Sequence, residues 1–400
     1  FDQVEAIIRD NRAAAIWAVD FGGVAEGIAK MCFGNFIGFR FTKQLTPEEL
    51  FQPCCGAFVI ELNGDAKAEE TVIGTTTNEQ TIVCPNYTMQ LPQLLQIWEK
   101  KLESVFPCRI KTTTEKPPVY SYNNPVHQFS TIKTARPNVL IPVFPGTNCE
   151  YDTARIFERA GARAEVFVIR NLSAAAITES VEAFTDRIKN AQIIMIPGGF
   201  SGGDEPEGSG KFITAFFRNP KIMDAVHNLL QNRDGLMLGI CNGFQALIKL
   251  GLVPFGKIVE MEQDAPTLTF NTIARHQSML VTTRVASTKS PWLYGCEVGD
   301  LHTVAISHGE GRFVAPPALI EQLAENGQIA TQYVDLDGNP TMDIHYNPNT
   351  SMMAIEGITS PDGRVFGKMG HSERIGTNLY RNVPGEKDQK IFQSGVAYFR

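Results

Sequence analysis

Hydrophobic and polar positions divide the chain into three regions with different patterns. Residues 1–116 mix helical and alternating stretches, which is typical of an α+β lobe. Residues 117–136 are polar and proline-punctuated, without periodicity, and this composition predicts a linker. From residue 137 to residue 400, short apolar runs alternate with amphipathic segments. This alternation predicts an α/β fold, with an open and mostly parallel sheet flanked by helices.

The periodicity also predicts individual elements. In the first region we expect helices at 4–16 (VEAIIRDNRAAAI), Ala25–Phe33 and Leu91–Phe106, and strands at Gln52–Leu62 and Glu70–Thr75. In the third region we expect strands at Val139–Phe144, Glu165–Ile169, Ile193–Ile196 and Gly235–Ile240, with helices at Cys149–Ala160, Thr178–Lys189, Lys211–Phe217, Lys221–Gln231 and Asn242–Leu250. After Leu252 the pattern changes to short strands, which predict an antiparallel region or an extension of the sheet.

A cysteine lies at the predicted junction between the strand Gly235–Ile240 and the helix Asn242–Leu250. The junction reads Gly239-Ile240-Cys241-Asn242-Gly243, which is the nucleophile-elbow pattern with Cys in place of Ser. A thiol near a helix N-terminus is favoured as thiolate, and the N–H of Asn242 can donate to an oxyanion. An isolated Cys in an apolar strand is more often a buried hydrophobe. The glycine frame favours the nucleophile, provided that a base lies elsewhere in the chain.

The candidate base is His371, in the string Gly370-His371-Ser372-Glu373-Arg374 that follows a predicted strand at Val365–Met369. Residues two apart in extended backbone project to the same side, so Glu373 can orient His371. The alternative is a surface histidine beside a charged turn.

Two further glycine-bearing loops, at 145–148 and 197–204, follow predicted strands and should meet the elbow at one edge of the sheet. We expect Gly199 to supply an oxyanion-hole amide. A phosphate-binding role for 198–203 is the weaker alternative, because no Lys follows as a P-loop requires.

Composition narrows the function classes. The chain has 400 residues, a formal net charge of −7 and no long basic run, so we expect no nucleic-acid partner. No apolar run approaches the length of a membrane helix. The eight cysteines show no paired spacing, which favours reduced thiols and a cytoplasmic location. A zinc site from Cys296, His302, His308 and His345 fits no usual ligand spacing, so we expect no metal.

The elbow and the His371-Ser372-Glu373 string together resemble the class I, or triad, glutamine amidotransferases. Four longer strings narrow the resemblance to the glutaminase domain of phosphoribosylformylglycinamidine synthase, of the large single-chain type. These strings are FPGTNCE (144–150), PGGFSGGD (197–204), ISHGEGR (306–312) and NPN (347–349). Less specifically, residues 1–116 resemble the C-terminal lobe of the aminoimidazole-ribonucleotide-synthetase-like half, without its nucleotide-binding lobe. We therefore expect the polypeptide to continue upstream of Phe1.

The resemblance implies a catalytic triad of Cys241, His371 and Glu373, with oxyanion donors at Gly199 and Asn242. It implies that glutamine-derived ammonia serves the ATP-dependent conversion of formylglycinamide ribonucleotide to the amidine in purine biosynthesis. The implied partners are glutamine and the upstream synthetase domain. No cofactor is expected in this part of the enzyme, whereas ATP and magnesium would serve the synthetase part. The weaker candidates for holding glutamine are Gln245, Asn271, His308 and Glu310.

Three positions depart from the family pattern. Ser372 stands where Pro is frequent, Phe244 where Cys is frequent, and Gly202 where Tyr is common. Two other functions also remain open: a hydrolase of peptide or γ-glutamyl bonds on the same fold, and a non-catalytic docking module. Ammonia release from free glutamine would distinguish the amidotransferase from the hydrolase. An inert Cys241 would favour the docking module.

Overall fold

The computed structural model describes residues 1–68, 70–108, 110, 116–123, 127–200, 210–262, 264–381 and 383–400. The chain divides into two compact units. The first comprises residues 1–108 and 380–383, and the second comprises residues 109–379 and 384–400. Among the described residues, no helix combines the length and the apolar character that crossing a bilayer requires.

The first unit is built from short helices and two small sheets. Its elements are α1 (Asp2–Arg9), β1 (Ala13–Ala18), α2 (Gly23–Phe33), β2 (Gly38–Phe41), α3 (Pro47–Phe51), β3 (Phe58–Leu62), β4 (Gly74–Thr77), β5 (Thr81–Cys84), β6 (Tyr87–Gln90) and α4 (Leu91–Lys100). Strands β1 and β3 pair antiparallel, and the other sheet has the order β4-β2-β5-β6. Its buried core contains Ile28, Cys32, Ile82, Cys84 and Leu91.

Several predicted elements of this unit are wrong in type or extent. The predicted helix at 4–16 ends at Arg9, and Ala13–Ala18 forms a strand instead. Alanine tolerates either backbone, and pairing decides the outcome here, since Trp17 lies opposite Val59 in the β1–β3 register. The predicted helix Leu91–Phe106 ends at Lys100.

The second unit carries the predicted alternation of strands and helices. Its elements begin with β7 (Asn138–Val143), α5 (Glu150–Arg159), β8 (Arg163–Val168), α6 (Ala174–Ile188), β9 (Ile193–Ile196), α7 (Lys211–Phe217), α8 (Pro220–Asn232), β10 (Leu236–Ile240), α9 (Asn242–Leu250) and α10 (Leu252–Phe255). They continue with β11 (Thr267–Phe270), β12 (Gln277–Val285), β13 (Leu301–His308), β14 (Glu310–Val314), α11 (Pro317–Glu325), β15 (Ile329–Val334), β16 (Ile355–Thr359), β17 (Val365–Lys368) and α12 (Ile391–Ala397).

Within the described residues of this unit, nine strands form one sheet in the order β13-β12-β15-β16-β17-β10-β9-β7-β8. The five strands from β17 to β8 run parallel, whereas the pairings from β17 to β13 are antiparallel. The α/β class is as predicted. The sheet is mixed rather than mostly parallel, because the late short strands continue the same sheet past β17.

The central parallel strands are apolar along their whole length. Strands β9 and β10 are buried at every position, which is typical of strands covered on both faces. Helix α9 packs on β9, β10 and β17. Because these strands are parallel, the segments that follow their carboxyl ends lie at one edge of the sheet, where ligands bind in such folds.

Candidate active site

Cys241 occupies a strained turn between β10 and α9. Its φ is 53° and its ψ is −108°, a conformation that non-glycine residues rarely adopt and that is found at functional turns. The flanking glycines are required by packing. A Cβ on Gly239 would lie 2.6 Å from Leu247 Cδ1, and a Cβ on Gly243 would lie 2.0 Å from the carbonyl oxygen of Ile196. The strand–helix junction therefore has the geometry of a nucleophile elbow.

His371 lies in the turn that follows β17. Its N–H donates to the carbonyl of Ala305 at 2.8 Å, which ties the turn to β13. Its Nδ1 lies 2.5 Å from Glu373 Oε1, and both side chains are almost completely buried. A carboxylate at this nitrogen leaves Nε2 available for proton transfer. Within the described part of the chain, Nε2 has no hydrogen-bond partner.

The segments after β9, β10 and β17 meet at Gly198. A Cβ placed on Gly198 would lie 2.8 Å from His371 Cε1 and 3.5 Å from Cys241 Cβ. Gly198 is thus packed directly against both residues, with no room for a side chain of its own. The backbone that follows is equally close-packed, because a Cβ on Gly199 would lie 2.5 Å from the carbonyl oxygen of Gly146.

A second cysteine, which was not among the residues predicted for the site, packs against Gly198 as well. Cys149 Sγ would lie 3.1 Å from a Cβ on Gly198, and it lies 3.9 Å from His371 Nδ1. Its thiol donates to Asn148 Oδ1 at 3.1 Å, and Arg374 donates to its sulfur at 3.2 Å. The sequence placed Cys149 in the loop after a parallel strand, but its contact with Arg374 joins residues far apart in the chain and could not be predicted.

The two cysteines lie in different surroundings at the histidine. Cys149 is near Nδ1, the nitrogen that Glu373 already occupies. Cys241 has its thiol directed to the carbonyl oxygen of Ser307 at 3.7 Å. Both cysteines stand directly before a helix, Cys149 before α5 and Cys241 before α9, and this position favours a thiolate. Of the two, Cys241 alone also has the backbone of a nucleophile elbow.

Charge interactions set the protonation of the His371–Glu373 pair. Burial alone would lower the pKa of His371, but the Glu373 carboxylate and the sulfurs of Cys241 and Cys149 raise it well above its usual value. Burial would raise the pKa of Glu373, but the His371 charge and hydrogen bond outweigh burial and lower it. Both shifts favour the form of the pair in which His371 is an imidazolium and Glu373 a carboxylate, so that His371 holds a proton that it can transfer.

The residues proposed to hold glutamine are all buried near the elbow. Gln245 Nε2 donates to the carbonyl of Glu310 at 2.6 Å, and its Oε1 accepts from Asn242 Nδ2 at 2.9 Å. Asn271 Nδ2 donates to the carbonyls of His308 and Arg275. Gln245 thus ties α9 to the start of β14, and Asn271 ties the loop after β11 to the end of β13, which are scaffolding arrangements. Their role in binding glutamine stays a prediction.

His308 ends β13 and differs from His371 in its electrostatics. Burial, with smaller contributions from His371 and His276, lowers the pKa of His308 to about 3. It is therefore neutral at physiological pH, and neither ring nitrogen has a hydrogen-bond partner within the described residues.

Two groups of described residues bring potential metal ligands together. One is the site itself, with Cys149, His371 and Glu373, and the other is Cys296, Asp300 and His302. The ligand atoms within each group lie within 4.8 Å of one another. The sequence offered four residues for a possible zinc site, and the structure brings two of them together, Cys296 and His302. Burial and the charge of Asp300 raise the pKa of Cys296 to about 12, which disfavours the thiolate that zinc requires.

This geometry supports nucleophilic acyl chemistry. A thiol on an elbow attacks a carbonyl carbon, an adjacent imidazolium supplies a proton to the leaving group, and helix N-terminal amides stabilise the oxyanion. The loop after Phe200, including Gly202, lies outside the described residues, as does the rest of the predicted 197–204 string beyond that point.

Comparison with known proteins assigns the class. The family model described as the CobB/CobQ-like glutamine amidotransferase domain matches residues 136–399, and the chain belongs to this family. Its relatives include phosphoribosylformylglycinamidine synthase subunit PurQ of Methanococcus maripaludis, which is 35% identical over 284 residues, or 66% of this chain and 97% of that subunit. The same subunit of Gloeobacter violaceus is 33% identical over 255 residues, or 64% of this chain and 95% of the subunit.

Among solved structures, PurLQS from Thermotoga maritima aligns with 66% of this chain and 100% of the compared chain, at 25% identity and a TM-score of 0.48. The curated relatives confirm the family resemblance predicted from the sequence strings between residues 137 and 400. Their matches cover about two thirds of this chain.

Proposed function

We propose that this chain contains the glutaminase portion of a phosphoribosylformylglycinamidine synthase. Cys241 is the nucleophile, His371 transfers the proton, and Glu373 orients His371 and stabilises its charge. The observation that carries this proposal is the meeting of the elbow cysteine and the buried histidine at Gly198. Family membership over residues 136–399 supplies the substrate class.

The reaction follows from these positions. The Cys241 sulfur attacks the side-chain amide carbon of glutamine, forming a C–S bond and an oxyanion. Collapse of this intermediate breaks the C–N bond, and the proton on His371 goes to the leaving nitrogen, so that ammonia departs and a thioester remains. His371, now neutral, takes a proton from water, which attacks the thioester. Glutamate leaves, and the proton returns to the Cys241–His371 pair.

The oxyanions require backbone donors. The N–H of Asn242, at the first position of α9, and the N–H of Gly199, in the loop after β9, are the proposed pair. A helix N-terminus adds positive potential at the position where negative charge develops. The tight approach of Gly199 to Gly146 fixes the loop that carries one of these donors.

Ammonia release is one half of the proposed activity. The other half, conversion of formylglycinamide ribonucleotide to the amidine, uses ATP and magnesium in a synthetase domain, which we place upstream in the same polypeptide. Residues 1–116 would be the last lobe of that synthetase half. The proposed enzyme acts in the cytoplasm.

The test separates the two cysteines. Cys241→Ala is expected to abolish glutamine hydrolysis, whereas Cys149→Ala should retain measurable hydrolysis because the elbow thiol remains. Ammonia release from glutamine is the readout, with circular dichroism to verify folding. A glutamine analogue bearing an electrophilic carbon should add one mass increment, mapped by peptide mass spectrometry to Cys241. Labelling of Cys149 in its place, or hydrolysis that survives Cys241→Ala, would refute the assignment.

A further inference from the structure

A buried ion pair lies directly behind the histidine turn. Lys368 ends β17 and Glu356 lies in the neighbouring strand β16, and both side chains are 0% exposed. Lys368 Nζ is 3.2 Å from Glu356 Oε1. The rest of both strands is buried, so a charged pair there has a large desolvation cost and little net stabilising value. Such a pair calls for an explanation other than fold stability.

The hydrogen bonds of this pair converge on the residues that flank His371. Lys368 Nζ donates to the carbonyl of Gly370 at 2.9 Å and to Ser372 Oγ at 3.0 Å. Glu356 Oε1 accepts from the N–H of Gly370 at 2.6 Å. Lys368 thus makes one ion pair, to Glu356, and two hydrogen bonds, to the residues on either side of His371. The backbone before His371 and the side chain after it are thus held by one cation and one anion.

Two further hydrogen bonds hold Glu356 and Ser372 in place. Glu356 Oε2 accepts from Thr331 Oγ1 at 2.5 Å, and Ser372 Oγ donates to Gln389 Oε1 at 2.5 Å. On the other side of the turn, the His371 N–H is held by the carbonyl of Ala305. Ser372 both accepts from Lys368 and donates to Gln389, which a proline side chain at this position could not do.

The pair also cancels its own charge. Lys368 and Glu356 are each removed from water, so each charge would act strongly on a nearby titrating group if it stood alone. Together they form a dipole with no net charge. Apart from burial, the pKa of His371 is therefore shifted mainly by Glu373 and the two cysteine sulfurs.

We propose that Lys368 and Glu356 are positioning residues for His371, holding the 370–372 turn so that the imidazole faces Cys241 while adding no net charge to the site. This inference rests on the proposed role of His371 in glutamine hydrolysis. Ser372 completes the arrangement by accepting a hydrogen bond from Lys368.

The experiment compares Lys368→Met, Glu356→Gln and the double variant with wild type. We expect each single variant to lower kcat for glutamine hydrolysis at least about tenfold, with KM little changed, because the defect lies in proton transfer. The unpaired carboxylate left by Lys368→Met should move the acid limb of the pH profile to higher pH. The unpaired ammonium left by Glu356→Gln should move it to lower pH. The double variant should return the limb to its wild-type position.

The rate of Cys241 alkylation by iodoacetamide, followed against pH, gives a second readout. This reagent needs no glutamine site, so its pH profile tests the positioning role even if the wild-type chain fails to hydrolyse glutamine. Absence of hydrolysis would count against the proposed function, whereas unchanged alkylation profiles would count against the positioning role.

Controls separate positioning from folding. Lys289→Met removes a partly buried lysine whose ammonium donates to the carbonyl of Asn326 and whose own carbonyl lies beside Gly363, in the turn before β17. This variant should leave both pH profiles unchanged. If a single variant does not fold, Ser372→Ala is the alternative, because it removes one hydrogen-bond acceptor of Lys368 without leaving a buried charge unpaired. It should lower kcat between about twofold and tenfold. Folded single variants that keep kcat within about twofold of wild type, or that leave the acid limb in place, would overturn the proposal.

Discussion

At the scale of single residues, the site depends on side chains whose chemistry is set by a few neighbours. His371 and Glu373 are two residues apart in sequence and 2.5 Å apart at Nδ1 and Oε1. Each charge stabilises the other within a region that excludes water. The imidazolium–carboxylate pair therefore links the acid–base chemistry of the site to the stability of the protein.

This linkage predicts a defined pH dependence for Glu373→Gln. The lowered pKa of Glu373 contributes stability above its unfolded value of about 4.3, and this contribution is lost as pH falls through the folded pKa. The raised pKa of His371 contributes stability below about 6.5, and this contribution is lost as pH rises through the folded pKa. The free energy of unfolding should therefore differ most between wild type and Glu373→Gln from about pH 4.3 to about pH 6.5.

Urea denaturation at a series of pH values measures this difference. Glu165→Gln, which removes an exposed carboxylate from its pair with Arg187, is the matched control and should show a small and nearly flat difference. A Glu373→Gln difference that did not vary with pH would mean that the pair is not charged in the folded protein.

Single residues also mark the limit of sequence-based prediction. Cys241, His371 and Glu373 could be selected because each lies in a short local string with a recognisable chemistry. Cys149 and Arg374 could not be selected, because their contacts with each other and with His371 arise only where the loop after β7 meets the turn after β17. Lys368 and Glu356 did carry a signal, namely one charge in each of two otherwise apolar strands, but pairing them requires the register of β16 and β17.

At the scale of elements, the elbow was predicted almost completely and the first unit only in part, since α2 ends at Phe33 and α4 begins at Leu91 as predicted. Helix α9 begins and ends as predicted, and β10 begins only one residue late, because local periodicity and flanking glycines agree there. In contrast, residues 13–16 of β1 were predicted as helix. Their alanines carry no strong preference for helix or strand, and the pairing with β3 that makes them a strand is non-local. The sheet order likewise depends on contacts between strands far apart in sequence.

The approach of three elements at Gly198 predicts the effect of Gly198→Ala. The new Cβ would lie 2.8 Å from His371 Cε1, so the imidazole or the loop after β9 must shift. A displacement of a catalytic group by less than an ångström can cost about 100-fold in rate, and we expect a loss of that order in kcat/KM for glutamine. Steady-state ammonia release and a thermal melt together measure the effect.

Gly64→Ala is the matched control, because a Cβ there meets no heavy atom within 4 Å. It should leave both the melt and the rate unchanged. Should Gly198→Ala retain full activity with an unaltered melt, the close approach of Gly198 to His371 would not be needed for the reaction.

At the scale of the whole molecule, the mixed sheet explains how one domain holds the site. The parallel strands β9, β10 and β17 deliver the glycine loop, the cysteine and the histidine to one edge. The antiparallel strands beyond β17 contribute contacts that hold them, such as Ala305 to His371 and Ser307 to Cys241. Every group proposed for glutamine hydrolysis thus lies between residues 146 and 374, within the second unit.

That confinement predicts a division of labour in a complete synthase containing this chain. Cys241→Ala should abolish amidine formation from glutamine, because no thioester can form and no ammonia is released. Amidine formation from added ammonium should persist, because the proposed synthetase chemistry uses other groups, with ATP and magnesium. Both nitrogen sources are assayed for amidine with formylglycinamide ribonucleotide, ATP and magnesium, and Cys54→Ala, which removes an exposed thiol, serves as the control. If a folded Cys241→Ala enzyme lost both activities, Cys241 would be needed beyond ammonia release and the proposed division would be wrong.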